Sequence, residues 1–404
     1  MRRPLLFYSA WPLGFHNIEA ERKATALAEA GYDVCYVAGI GIRNPNPANL
    51  PKLIDRLRRL GKRQALAATQ PATESHEGSR GVREGAIIVA PPRHLEPMRR
   101  LNVVWLERQL RRQLQPWKQA LAWIRWPTPE LIDALAGLRP AHVVYEAVDA
   151  YDATPGIVGR WARLFAQYER LLVARADLVV VPGDALAARY RTWGADVRIV
   201  PHGVDLGPWR HKAGEHHGRV VVGFIGTLDY RLSITVLRAI ALAHPEWRLR
   251  LIGPVKEGFD AGAFAGLRNV SLEPTIPAAR VPATIASLDV GLMPYIEHPV
   301  TTHMTPVKTL EFLAAGVPAV ARRLPALERY ADHLYFADSP IEFVAGVERA
   351  LADQTVERAY ARRQVAEGHA WSTRLAEIVA IADELTADPL DRHLSAHPPP
   401  GYMR

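Results

Sequence analysis

Two kinds of segment alternate along most of the chain. Short, almost wholly apolar runs, such as residues 32–38 and 220–225, predict buried β-strands. Between them lie amphipathic stretches, such as residues 19–30 and 233–244, which are followed by glycine or proline and predict helices. Because strands that alternate with helices assemble into parallel, doubly wound sheets, the pattern predicts an α/β protein.

The length of the chain predicts more than one domain. At 404 residues it exceeds the size of one ordinary hydrophobic core. A polar stretch at residues 211–218 separates two strand–helix series and marks the boundary region. We assign residues 1–205 to an N-terminal Rossmann-like domain, 206–370 to a C-terminal Rossmann-like domain, 371–387 to a helix that packs back on the first domain, and 388–404 to a disordered tail.

The formal net charge of +8 is concentrated in one region. Residues 51–126 contain 16 Lys and Arg against 6 Asp and Glu, whereas the rest of the chain is close to neutral. A basic surface favours nucleic acid, anionic lipid or acidic small molecules. The sequence contains no zinc-knuckle, ribonucleoprotein or helix-turn-helix signature, so we expect no nucleic-acid partner.

Basic residues and tryptophans interleave within residues 99–126, which permits two interpretations. As a helix on an anionic membrane surface, the segment would make the protein peripheral on the inner face of the membrane. As a helix pair, it would pack its tryptophans inside and leave its arginines solvated. No apolar run reaches the roughly 18 residues of a membrane span, and the single Cys35 excludes an internal disulfide, so we expect a cytoplasmic protein. The residues concerned are Arg99, Arg100, Arg108, Arg111, Arg112, Lys118 and Arg125, with Trp105, Trp117, Trp123 and Trp126.

A helix in the second domain carries the most suggestive charged residues. It is predicted to begin at Pro306, with Thr305 as its N-cap, and to end before Gly316. Lys308 and Glu311 lie three residues apart and therefore on one face. The helix N-terminus and Lys308 suit a phosphate, and Glu311 suits a pair of sugar hydroxyls. The alternative is an ordinary surface Lys–Glu pair.

Loops that follow predicted strands carry further candidates, because open α/β sheets bind ligands at the carboxyl ends of their strands. In the second domain, Gly226 and Gly253 directly follow strands and would let a ligand or a backbone approach closely. Thr227 and Pro254 stand beside them. Arg231 is placed to pair with an anion, although without further context a solvated surface arginine is the better explanation.

The first domain offers a second group of polar residues after strands. The loop after the first strand contributes Gly14, His16, Asn17 and Glu19, and the loop after the strand at residues 142–145 contributes Asp149 and Asp152. The two aspartates suit chemistry at a strand end, or they cap the turn that follows. No His/Asp cluster has the spacing of metal ligands, so we expect no metal.

Several short motifs follow one another in the second half of the chain. They are residues 200–205 (Val-Pro-His-Gly-Val-Asp), 222–229 (Val-Gly-Phe-Ile-Gly-Thr-Leu-Asp), 251–254 (Leu-Ile-Gly-Pro), 289–295 (Asp-Val-Gly-Leu-Met-Pro-Tyr) and 306–316 (Pro-Val-Lys-Thr-Leu-Glu-Phe-Leu-Ala-Ala-Gly). In order and spacing they resemble the donor-binding domain of GT-B glycosyltransferases, most of all glycosyltransferase family 4 with its exopolysaccharide and teichuronic-acid relatives. The resemblance is strong over residues 177–327, weaker over the first 60 residues, and absent from residues 62–138.

The resemblance implies a fold, a reaction class and a donor site. In the GT-B fold two Rossmann-like domains face each other across a cleft. The enzyme would be a hexosyltransferase with a UDP- or GDP-linked sugar as substrate and no cofactor. Lys308 and Arg231 would bind the diphosphate, helped by the backbone of Gly226 and Thr227, and Glu311 would bind the ribose hydroxyls. The base would be surrounded by Gly253, Pro254 and residues 275–277. The amides near Thr305, Pro306 and Val307 would stabilise the leaving group.

On the acceptor side, the resemblance implies a glycan or lipid-linked acceptor on the first domain. The residues expected there are Gly14, His16, Asn17, Glu19 and Asp152. Family 4 enzymes retain the anomeric configuration, and retention without a metal is the expectation here. An inverting enzyme would need a base within reach of the acceptor, and Asp149 is the first candidate for that base. Lys308 and Arg231 are the expected catalytic cations.

One position departs from the family pattern. The family often has two glutamates separated by seven residues, and the first would fall at His303, whereas the second matches Glu311. The missing glutamate usually lies near the donor sugar, so the identity of the sugar stays open. Two alternatives stay open as well: a GT-B sugar-nucleotide epimerase, and a non-catalytic GT-B subunit that binds nucleotide or lipid.

Overall fold

The computed structural model describes residues 2–13, 18–39, 81–89, 96–151, 160–207 and 218–387. Within these ranges the chain divides into two compact units. The first comprises the described residues up to Val181, then Ala187–Val200 and the residues from Leu375 onward, and the second comprises Pro182–Leu186 and the residues from Pro201 to Arg374. The tail at residues 388–404 lies outside the described residues.

The first unit is built on a seven-stranded sheet in which all neighbouring strands are parallel. The spatial order is β3-β2-β1-β4-β5-β6-β7. The strands are β1 (Arg3–Ser9), β2 (Tyr32–Ala38), β3 (Arg83–Gly85), β4 (Leu121–Ile124), β5 (His142–Glu146), β6 (Leu178–Val181) and β7 (Val197–Ile199). Its helices are α1 (Ile18–Glu29), α2 (Glu96–Gln113), α3 (Pro129–Leu138), α4 (Arg160–Arg175) and α5 (Asp184–Arg191), of which α5 begins in the second unit.

The core of this unit comes from the central strands and from the end of the chain. Phe7, Trp123 and Val144 on neighbouring strands are fully buried, as parallel strands covered on both faces require. The final helix α12 (Trp371–Thr386) contributes Ile378 and Ile381 to the same core. The C-terminal helix therefore packs in the core of the first unit, although in the sequence it follows the residues of the second unit.

The segment at residues 99–126 is neither a single helix nor a helix pair, so both interpretations of its secondary structure are wrong. The structure divides it into α2, a short 3₁₀ turn (Trp117–Gln119) and strand β4. Four consecutive apolar residues at Leu121–Ile124 suit a strand buried on both faces, and they pair with β1 and β5. Trp117 and Trp123 are consequently buried in the core, and Arg125 is buried as well.

The second unit is built on a six-stranded parallel sheet with the order β10-β9-β8-β11-β12-β13. Its strands are β8 (Val221–Ile225), β9 (Arg248–Ile252), β10 (Val270–Glu273), β11 (Val290–Met293), β12 (Ala319–Ala321) and β13 (Tyr335–Phe336). Its α-helices are α6 (Ile234–Ala243), α7 (Val281–Ala286), α8 (Pro299–His303), α9 (Val307–Ala315), α10 (Pro340–Ala352) and α11 (Val356–Glu367). The prediction of an α/β protein with two Rossmann-like parallel sheets is confirmed.

Candidate functional site

The start of helix α9 lies beside the carboxyl ends of two strands in the second unit. Pro306, in extended conformation, is the N-cap, and Val307 is the first helical residue. The expectation that Thr305 caps the helix is wrong, because no side chain caps it and the chain is already extended at Pro306. Gly316 ends the helix with a φ of 75°, as its position predicts. The Thr309 N–H already donates to the carbonyl oxygen of Pro306 over 3.1 Å, so Val307 and Lys308 carry the first-turn amides that have no acceptor within the helix and would suit an anion.

The ammonium group of Lys308 lies against the glycine loop that follows β8. A Cβ placed on Gly226 would come within 2.6 Å of Lys308 Nζ, and the same Nζ stands 5.0 Å from the centre of the Phe224 ring. No carboxylate of the described residues lies within ion-pair distance of this ammonium group. The cation is therefore held in place by packing and retains its capacity to bind an anion.

A second glycine brings the neighbouring loop into the same place. The N–H of Gly226 donates to the carbonyl oxygen of Ile252 over 2.9 Å, and a Cβ on Gly253 would come within 2.1 Å of the Gly226 carbonyl oxygen. Both glycines have positive φ, 144° at Gly226 and 142° at Gly253, a region that other residues rarely adopt. The two loops can pass this closely only because neither carries a side chain. The structure thus brings Gly226, Gly253 and Lys308 together.

Arg231 is oriented by an aspartate that the sequence analysis missed. Its Nη2 donates to Asp229 Oδ2 over 2.7 Å and its Nε to Asp229 Oδ1 over 3.0 Å, a bidentate pair. Burial acts to lower the pKa of Arg231, but Asp229 outweighs it and the pKa is raised. The remaining Nη1 lies 3.8 Å from Met304 Sδ, close to the start of α9. In the sequence, the presence of an aspartate two positions before Arg231 could have predicted this ion pair.

Glu311 is partly exposed on the same helix as Lys308. It makes no hydrogen bond or ion pair with any described residue. Burial raises the pKa of Glu311, and the Lys308 charge acts against that rise. The carboxylate is therefore costly to keep ionised and unsatisfied, and it has free acceptor capacity for hydroxyl donors.

Thr305 and His303 precede the helix. Thr305 and Pro306 line a pocket within the second unit, and Thr305 Oγ1 lies 2.8 Å from the place of a Cβ on Gly183. The remaining lining residues are Pro182, Pro201, His202, Thr309, Leu310, Ala326, Leu327, Arg329 and Tyr330. His303 ends α8, and its Nδ1 lies 2.9 Å from the carbonyl oxygen of Pro299. Since a carbonyl only accepts, Nδ1 carries the proton, and in the neutral ring Nε2 is left as an acceptor.

On the first unit, Glu19 belongs to a buried cluster of charges at the carboxyl ends of β4 and β5. Lys23 Nζ donates to Glu146 Oε1 over 2.7 Å and also pairs with Glu19. Trp123 Nε1 donates to Glu146 Oε2 over 2.7 Å, and Arg125 Nε lies 3.0 Å from Glu146. Burial acts to raise the pKa of Glu146, but the two cations outweigh it and lower that pKa. The cluster is internally neutral, and the sequence analysis missed Lys23 and Arg125.

The other acceptor-side candidates are placed only in part. Asp149 is described and helps to raise the pKa of buried Tyr151, after burial itself. Gly14, His16, Asn17 and Asp152 lie outside the described residues. Among the residues that are described, no group of three or more His, Cys, Asp or Glu is arranged to hold a metal ion.

Comparisons with known proteins agree with this architecture. The model of "Glycosyltransferase Family 4" matches residues 20–207, and a "Glycosyl transferase-like" model matches residues 234–380. TuaH of Bacillus subtilis (strain 168), a glycosyltransferase assigned to teichuronic acid biosynthesis, is 28% identical over 286 residues, which are 64% of this chain and 70% of TuaH.

Two solved structures are similar to this chain in fold. HepE of Anabaena, in complex with UDP and glucose, is 14% identical with a TM-score of 0.62, over 96% of this chain and 100% of that one. A glycosyltransferase from Rickettsia africae ESF-5 is 10% identical with a TM-score of 0.65, over 96% and 99%. The two parallel sheets and these likenesses show the GT-B fold. The two glycosyltransferase models, each of which matches less than half of the chain, and the similarity to TuaH together support a glycosyltransferase of the family 4 type, as the motifs predicted.

Proposed function

We propose that the protein transfers a sugar from a UDP- or GDP-linked donor to a glycan or lipid-linked acceptor during polysaccharide synthesis. The observation that carries the proposal is the Lys308 ammonium group, which packs against Gly226 and has no carboxylate partner among the described residues. A diphosphate in the glycine loops would supply the missing negative charge. TuaH, which is assigned to teichuronic acid biosynthesis, supports the polymer assignment, and HepE, solved with UDP and glucose, supports the donor class.

The chemistry asked of the site is stabilisation of a departing nucleoside diphosphate. Negative charge accumulates on that group as the glycosidic bond breaks. Lys308 and the α9 amides are fixed before the reaction, and Asp229 fixes Arg231, so little reorganisation is needed. These cations support transfer without a metal ion, and retention of configuration is the stereochemistry we propose. If transfer inverts instead, Asp149 is the candidate base.

Glu311 extends the proposed donor site away from the diphosphate. It lies one helical turn beyond Lys308, and its carboxylate is without a partner among the described residues. A carboxylate can accept two hydroxyl donors at once, which matches the vicinal hydroxyls of ribose. His303, in place of a glutamate, would present the Nε2 acceptor toward a donor-sugar hydroxyl.

The test combines donor binding with turnover. Calorimetry with UDP, GDP and UMP would identify the base and show whether the second phosphate matters. We expect Lys308→Ala to weaken diphosphate binding about 10-fold or more, because a charge-assisted contact is worth about 1.5–3 kcal/mol. Glu311→Ala should weaken the binding of nucleoside diphosphates but leave the binding of inorganic pyrophosphate unchanged.

Matched controls come from exposed charges of the same unit. Arg268→Ala and Glu367→Ala each remove one charge from an exposed position and should leave binding unchanged. Unchanged binding in both Lys308→Ala and Glu311→Ala, with normal unfolding temperatures, would contradict the site. Absence of binding to every nucleoside diphosphate in the wild-type protein would contradict the donor class.

A further inference from the structure

The outer face of helix α2 exposes a cluster of large apolar side chains. Leu101 is 65% exposed, Val104 49% and Trp105 44%. They lie three and four residues apart and therefore on one side of the helix. Ile88, 37% exposed, is attached to the same helix, because its backbone exchanges two hydrogen bonds of 2.9 Å with the side-chain amide of Gln109. Such a group of exposed apolar residues marks an interaction surface.

The opposite face of α2 is anchored in the first unit. Leu106 and Leu110 are buried, and the helix packs against α3. Arg99 pairs with Asp133 on α3, and Arg111 donates to the carbonyl oxygen of Gly137. The apolar cluster is thus presented on a helix that the unit holds in a fixed rotation.

The arginines of α2 are sorted by face. Arg99 and Arg111, beside the anchored face, are held by carboxylates, with Arg111 paired to Glu107 over 2.8 Å. Arg108 and Arg112, which are exposed with the apolar cluster, make no ion pair with any described residue. Arg100 is also exposed and pairs only with an exposed glutamate of the same helix. The outer face therefore combines apolar contact area with the positive charges of Arg108 and Arg112, which no described carboxylate pairs with.

We propose that this outer face of α2 docks the protein on the surface of an anionic lipid bilayer. Trp105, Leu101 and Val104 would enter the interfacial layer, and Arg108 and Arg112 would contact lipid phosphates. A nucleic acid would satisfy the arginines but not the apolar cluster. No helix among the described residues is long and apolar enough to cross a membrane. The inference stands on the first unit alone and does not depend on the proposed donor site.

The test is co-sedimentation of the full chain with vesicles, at low and high salt. We expect binding to vesicles of phosphatidylcholine with phosphatidylglycerol, weak binding to phosphatidylcholine alone, and loss of binding as salt increases. Each of Arg108→Gln and Arg112→Gln should weaken the affinity about fivefold, the equivalent of about 1 kcal/mol per basic residue. The double variant Leu101→Ser with Trp105→Ser should also weaken the affinity for these vesicles, but without changing its dependence on salt.

Controls separate the surface from general charge and apolarity. The controls Arg268→Gln with Arg280→Gln, and Ile341→Ser with Val356→Ser, alter exposed residues of the second unit and should bind as the wild type does. Equal losses in these controls, or no binding at low salt, would overturn the proposal. A concentration-dependent dimer that Leu101→Ser abolishes would overturn it too, in favour of a second copy as the occupant. The α2 variants should bind UDP or GDP as the wild type does. A failure of the membrane-docking proposal is therefore distinguishable from a failure of the proposed donor site.

Discussion

Gly226→Ala tests whether the glycine loop exists to accommodate the lysine. The new methyl group would stand 2.6 Å from Lys308 Nζ and 3.1 Å from Lys308 Cε, so the ammonium group must move. Gly226 also has a φ of 144°, where an alanine costs about 1–3 kcal/mol in backbone strain. The substitution should therefore lower stability and, separately, displace the cation from the diphosphate.

A double-mutant cycle measured by calorimetry with UDP or GDP separates these two effects. Gly226→Ala should weaken binding nearly as much as Lys308→Ala, about 10-fold or more. In the Lys308→Ala background, Gly226→Ala should add little, which gives a coupling of at least about 1 kcal/mol. The strain alone should lower the unfolding temperature by several degrees, at about 2–4 °C per kcal/mol for a domain of this size.

Gly266→Ala is the matched control for backbone strain. Gly266 has a φ of 84°, lies in the same unit, and has open space where a Cβ would stand. It should lose stability without losing nucleotide affinity. Additive effects of Gly226→Ala and Lys308→Ala would refute the reasoning, because they would mean that the methyl group acts on the ligand or on the loop and not through the lysine.

Two further predictions concern charge and stability. Both ring nitrogens of His244 contact carboxylates, that of Glu246 over 2.8 Å and that of Glu348 over 2.9 Å. Burial acts to lower the pKa of His244, but the two carboxylates outweigh burial and the pKa is raised. A raised folded-state pKa stabilises the protein fully below the unfolded value of about 6.5 and loses that contribution as pH rises through the folded value. The stability lost in His244→Gln, measured by urea unfolding, should therefore be largest near pH 5.5 and shrink toward pH 8; a constant difference would contradict the ion pairs. Glu146→Gln leaves buried Lys23 without its principal carboxylate and should cost about 3–5 kcal/mol in the free energy of unfolding. A loss below about 1 kcal/mol would show that the cluster is hydrated and not held by ion pairs.

The repeating elements, and the local geometry of the candidate donor site, follow from the amino-acid sequence. Apolar runs and helical periodicity are properties of neighbouring residues, so they predicted two parallel sheets. The three-residue spacing of Lys308 and Glu311 placed both on one helix, and the glycines at 226 and 253 predicted close backbone approaches at strand ends. Each of these depends on a few consecutive residues and needs no knowledge of distant contacts.

The contacts between residues that are distant in the sequence become visible in the folded structure alone. Trp123 and Arg125 looked like part of a basic helix, yet β4 lies in the centre of the sheet, where β1 and β5 pair with its two edges and all four of its residues are buried. Lys23 meets Glu146 across 123 residues of sequence, and the last helix joins the core of the first unit. Asp229 as a clamp on Arg231, and the exposed outer face of α2, likewise depend on side-chain directions that packing selects. Such contacts depend on the free energy of burying the whole core, which cannot be read from any local pattern in the sequence.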